Sequence, residues 1–111
     1  MVMNMKLKRK NQKIEIKVCD NFSSRFKSLK FYLEKLDFGL YFPKRKFANT
    51  YFFCQRVDLC FTDKEEKIKY LFQNVKSEKI IWKRKSKNLY ILPRNSTKDW
   101  EVGESLKITQ N

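Results

Sequence analysis

NTYFFCQRVDLCFTDKEEKI, residues 49–68, is the stretch that decides the fold. It joins an aromatic run, an apolar run broken by one acid, a charged turn and the start of a further apolar segment. In 57–61 the side chains of Val57, Leu59 and Phe61 alternate with those of Asp58 and Cys60, which is the period of a β-strand. A short polar connection at 63–66 followed at once by another apolar segment predicts that two antiparallel strands meet there.

Working outward from this pair, β-favouring segments recur at 40–43, 47–53, 67–73, 78–83, 88–92 and 105–109. The stretch 13–19 alternates as well, with Ile14, Ile16 and Val18 against Lys13, Glu15 and Lys17. Polar connections are expected at 83–88, at 93–97 and around Gly103. Only 20–37 changes period: Phe22, Phe26, Leu29, Leu33 and Leu36 recur at helical spacing, with Asp20, Ser23 or Ser24 placed to cap the start and Gly39 to follow the end. The chain therefore predicts a mainly β (α+β) domain, a small antiparallel sandwich or partly closed barrel with one N-terminal amphipathic helix. Its 111 residues suit a single domain over 13–111, preceded at 1–12 by a flexible basic arm with little to bury.

The formal charge of +14 would draw nucleic acid, acidic proteins or anionic lipid. Twenty of the basic residues are lysine, however, and they are spread along the chain, as a compositional bias would also produce. There is no histidine, and Cys19, Cys54 and Cys60 have no metal-ligand spacing, so neither a zinc site nor a disulfide framework is expected. No apolar run approaches a membrane span, and unpaired apolar cysteines suit a reducing cytoplasm.

On these residues the chain resembles the family known as domain of unknown function 192, over about residues 14–108. Arg25, Ser28 and Leu29 stand where the family places an arginine and a Gly-Leu-Met-like element. The family pattern Thr-x-x-Met-x-x-Pro-Ile-Asp-x-x-Phe-x-Asp is matched by Thr50, Asp58, Phe61 and Asp63, with Val57 for Ile, Phe53 for Met and Arg56 for Pro. Tyr90, Ile91, Leu92 and Pro93 resemble its Leu-Glu-Leu-Pro strand, and Gly103 with Glu104 its closing Gly-Asp turn. Ile91 replaces the family glutamate. The resemblance implies a compact, mostly β, jelly-roll-like domain, and it implies no activity.

Asp58 is the sharpest single residue. If both faces of its strand are covered, the carboxylate is buried and needs partners, for which Arg25 or Arg56 are the candidates. The matched polar residues Arg25, Thr50, Arg56 and Asp58 form the first candidate site, for a small ligand or a protein. The second is a nucleic-acid patch at Trp82, Lys83, Arg84 and Lys85, where an aromatic ring stands beside cations. Tyr41 and Phe42 before Lys44, Arg45 and Lys46 have the same mixture. Glu65 and Glu66 read as solvated turn acids. No nucleophile elbow, phosphate-cradling glycine loop or paired catalytic carboxylates is present, so a non-catalytic binding domain without cofactor is expected.

Overall fold

A computed structural model describes residues 3–9, 12–18, 37–50 and 55–110. Among the described residues nine strands run in chain order: β1 (Met3–Arg9), β2 (Gln12–Val18), β3 (Gly39–Phe42), β4 (Phe47–Asn49), β5 (Val57–Thr62), β6 (Ile68–Val75), β7 (Ile80–Trp82), β8 (Asn88–Pro93) and β9 (Lys107–Gln110). Seven of them form one sheet in the order β6-β5-β8-β3-β2-β1-β9, and β4 and β7 make a separate two-stranded ribbon. Every pairing is antiparallel except β2 with β3. The protein is thus mainly β, as its residues predict. The helix expected over 20–37 lies outside the described residues except for its last residue, Asp37, which is in no regular element.

Most strands lie where alternation and β-propensity put them, within one or two residues, and 57–62 coincides with β5, whereas the segment expected over 47–53 gives a β4 that ends already at Asn49. One expectation is corrected. The segment expected to be a flexible arm contains β1, which pairs along its length with β2 and again with β9. Met5 and Leu7 turn inward while Lys6 and Lys8 face water, so the strand period is present among the lysines, and Leu7 is fully buried.

The sheet curls until its two ends meet. Lys67, just before β6, bridges Ser105, just before β9, and around this bridge Ile68 N–H donates to Glu104 C=O, Gly103 N–H to Ile68 C=O and Leu106 N–H to Glu66 C=O. Gly103 takes a φ of 100°, a conformation glycine adopts without steric cost, and so turns the chain into this seam.

All six residues of β5 are buried, as are five of six in β8, because both faces of the sheet centre are covered. Leu40, Phe42, Ala48, Val57, Leu59, Phe61, Leu89 and Ile91 pack on one face, with Ile81 of the ribbon against them. On the inner face of the curl lie Leu7, Ile14, Ile16, Cys60, Ile68, Tyr90, Leu92, Trp100 and Leu106. Gly39, opposite Ile16, is packed so closely that a Cβ would come within 2.6 Å of the Ile16 side chain and 2.7 Å of Leu92. Its role is this close approach at the start of β3. Leu7→Ala is expected to cost about 2–5 kcal/mol of stability by opening a cavity in the inner core; urea denaturation checks it, and a flexible arm would give no change.

Candidate functional site

Asp58 has no exposed surface. Its donors are all neutral. Oδ1 accepts the Asn74 N–H at 2.8 Å, and Oδ2 accepts the Thr97 hydroxyl at 2.6 Å and the Thr97 N–H at 3.1 Å. The reason is local. The β5–β6 register slips between Val57 and Leu59, so the ladder skips past Asn74, whose φ of 57° turns its amide toward the carboxylate. The arginine partner expected for Asp58 is therefore replaced by a bulge and a loop; Arg56 is half-buried, and Arg25 lies outside the described residues.

Thr50 is buried too, and its hydroxyl donates to Lys76 C=O at 2.8 Å while accepting the Lys79 N–H at 2.9 Å. Both motif residues thus fasten the chain between β6 and β7, Asp58 at its start and Thr50 across its middle. Asp63 acts likewise in the next turn, where its Oδ1 accepts the Glu65 and Lys67 amides at 2.8 and 3.0 Å. The Lys67 amide, with that of Glu65 and two nearby lysines, holds its carboxyl below the ordinary aspartate value.

By its sequence context Glu66 is expected to be a solvated turn acid, and its position is different. It is half-buried, with a φ of 62°, and its carboxylate points over the inner core. Tyr41 hydroxyl donates to Oε2 at 2.7 Å; Thr62 and Tyr90 hydroxyls donate to Oε1, each at 2.9 Å. Those donors come from β3, β5 and β8, and the Glu66 carbonyl also receives Leu106 at the seam. Glu65, beside it, is exposed, so the acid pair is divided between water and the interior. Nothing in the sequence distinguished the two, because the left-handed turn that aims Glu66 inward has no composition signal of its own.

Burial, and then the Glu66 carboxylate, raise the Tyr41 and Tyr90 hydroxyls above the ordinary tyrosine range; burial also raises the Cys60 thiol. Cys60 is a free buried thiol and not a reactive one. Among the described residues no group of three or more His, Cys, Asp or Glu could hold a metal ion, and no helix is long and apolar enough to cross a membrane.

The remaining candidate lies on the ribbon. Phe47 pairs with Trp82, Ala48 with Ile81 and Asn49 with Ile80, so Ala48 and Ile81 face the core while the other four face outward. Trp82 is 68% exposed, Ile80 64% and Phe47 39%. Lys46, Trp82, Arg84 and Lys85 line a groove of about 490 Å³ at the end of the ribbon. Its cations are set by the turn after β7, where the Ser86 amide and hydroxyl both donate to Lys83 C=O and the Lys83 amide donates to Lys46 C=O at 2.7 Å.

Of the expected patch, Trp82, Arg84 and Lys85 come together and Lys46 joins them from β4's approach. Lys83 does not: its Nζ lies 5.0 and 5.4 Å from the Tyr70 and Phe72 ring centroids of β6. The second aromatic-basic run is dispersed as well. Phe42 is in the core, Tyr41 bonds to Glu66, and the largely buried Arg45 stacks 3.9 Å over Phe47, its guanidinium pushed down by burial to about 10.

No family model matches the chain, and no curated protein matches it. Solved structures with the same fold include a candidate transcription regulator from Sinorhizobium meliloti 1021, with a TM-score of 0.76 at 14% identity over 99% of this chain and 94% of that one. Another is a protein of unknown function from Novosphingobium aromaticivorans DSM 12444, with a TM-score of 0.73 at 10% identity over 96% and 84%. At such identities the likeness is one of fold.

Two stability predictions arise from the buried polar groups. Asp58→Asn places an amide NH2 or a weaker acceptor against three donors and is expected to cost about 1.5–3 kcal/mol, read by urea denaturation. For Tyr41, Tyr90 and Cys60 the folded pKa exceeds the unfolded one, so their contribution is complete below the unfolded values and is lost as pH rises beyond them. Arg45, with its lowered pKa, acts in the opposite sense. Thermal melts from pH 8 to 11 should fall more steeply for the native protein than for Tyr90→Phe, which lacks one of the three groups.

Proposed function

We propose that this protein is a non-catalytic domain that binds nucleic acid through the end of the β4–β7 ribbon. The observation that carries the reading is an indole 68% exposed in a groove lined, among the described residues, by the cations Lys46, Arg84 and Lys85 beside it. A tryptophan of that exposure on an otherwise well-packed sheet is costly to leave in water, and a basic groove around it supplies the sign of charge that a phosphate backbone requires. The net charge of +14 adds long-range attraction of the same sign.

The other reading, a small ligand or protein partner at Arg25, Thr50, Arg56 and Asp58, is less well supported. Thr50 and Asp58 spend their hydrogen-bonding capacity inside the fold, and an outside ligand would have to compete for it.

Membership in the domain of unknown function 192 family is part of the same proposal, as a divergent, jelly-roll-like member. Its support is that the matched residues Thr50, Asp58, Phe61, Asp63 and Gly103 occupy turns, bulges and core positions that few other residues could fill. Motif residues of that kind describe a scaffold and leave the ligand to the variable surface.

Arg84→Glu together with Lys85→Glu is expected to leave the melting temperature nearly unchanged, because both side chains are exposed. The pair should lower oligonucleotide retention in dilute salt by roughly tenfold or more, equivalent to about 1.4 kcal/mol or more for lost and reversed phosphate contacts. Unaltered retention would remove the ribbon as the contact surface.

A further inference from the structure

Resting on the nucleic-acid reading above, we propose that the ribbon selects single strands, with one unpaired base stacked on Trp82 and its neighbouring phosphates held by Lys46, Arg84 and Lys85. A two-stranded β-ribbon can also enter the major groove of a duplex, where it reads base edges with hydrogen-bonding side chains. Here the outward residues are Phe47, Asn49, Ile80 and Trp82, so three of the four present apolar surface and only Asn49 has an amide. Between the strands that surface offers the Trp82 ring to stack on and only Asn49 with which to read an edge; the cations that could read guanine stand at its end, beside the indole. In a duplex the base faces are already stacked on one another; in a single strand they are free.

Size and charge agree with this choice. A groove of about 490 Å³ has room for one base with its sugar, at the scale of pockets that hold a single small ligand. The three cations lie in the same groove as the indole, so a phosphate bound to one of them leaves the attached base within reach of Trp82. Beyond it, Ile80 continues the apolar face along the ribbon, while Phe47 flanks Trp82 across it with Arg45 on one face of its ring. A bilayer would instead need the apolar face to protrude with its cations set around it at headgroup height. A concave groove favours the nucleic acid.

The chain has two tryptophans, which makes the site its own reporter. Trp82 is 68% exposed and Trp100 4% exposed, so stacking should quench the long-wavelength emission and leave that of Trp100 in place. The 111-residue chain is titrated in dilute salt with a twelve-residue oligothymidylate, a twelve-base-pair duplex, and vesicles of phosphatidylserine and phosphatidylcholine. The expected result is quenching and tighter binding with the single strand, and a logarithmic salt slope of about −2 for three phosphate contacts. Trp82→Ala should weaken single-strand binding roughly 5- to 150-fold while Trp82→Phe retains most of it, and neither should change duplex binding much.

Equal affinity for duplex and single strand without quenching, or a Trp82→Ala variant that binds oligothymidylate normally, would overturn the inference and leave a merely basic surface. Absence of binding to either nucleic acid would overturn the parent reading with it. Vesicle binding that depends on Trp82, without oligonucleotide binding, would reassign the groove to a membrane surface. The near-ultraviolet dichroism of the buried Trp100 confirms that each variant is folded.

Discussion

A carboxylate that has lost all contact with water must find its donors within the protein, and the rest of this structure is arranged around that requirement at Asp58. Its strand is covered on both faces, so the acid cannot turn outward. Three donors from two distant segments converge on it, the Asn74 amide from the bulge in β6 and the Thr97 amide and hydroxyl from the loop after β8. Once these are fixed, the loop that follows β8 is tied across the end of the inner core. Trp100, a few residues on, then closes that end, with its indole N–H bonded to Gln12 of β2 at 3.0 Å.

Glu66 performs the corresponding task near the start of β6. Its side chain draws together hydroxyls from three strands, and its carbonyl takes part in the seam where the curled sheet meets itself. The inner core is therefore bounded by two acids, each satisfied by neutral donors, with Cys60 and Tyr90 between them. Such an arrangement fixes register at low dielectric, because leaving any one of these donors unpaired would cost more than the bond itself contributes. It also leaves little internal polar capacity for a ligand.

The outer face of the ribbon follows a different rule. Ala48 and Ile81 attach β4 and β7 to the core, and the strict alternation of a strand then forces Phe47, Ile80 and Trp82 out. Thr50 contributes from beneath by pinning the chain that leads into β7. The residues that resemble a known family thus position the candidate surface without being part of it. The cations that matter are sorted by geometry: Arg84 and Lys85 at the turn join Lys46, while Lys83 is drawn onto the rings of β6.

Alternation and turn chemistry by themselves determined the strands between 40 and 109 and the pairing across 63–66, because these depend on neighbours within a few residues, while the burial of Asp58 stayed conditional on both faces of its strand being covered. β1 carried the same period and was obscured by its lysines, which a strand with one wet face tolerates as readily as a loose arm does. Which donors reach Asp58, which of two adjacent glutamates turns inward, and which lysine leaves the basic patch were decided only in three dimensions. They depend on segments 11 to 39 residues apart being brought together in the folded sheet and, for the two acids, on backbone conformations at Glu66 and Asn74 that only the closed seam and the bulge impose. No local pattern records a contact of that range.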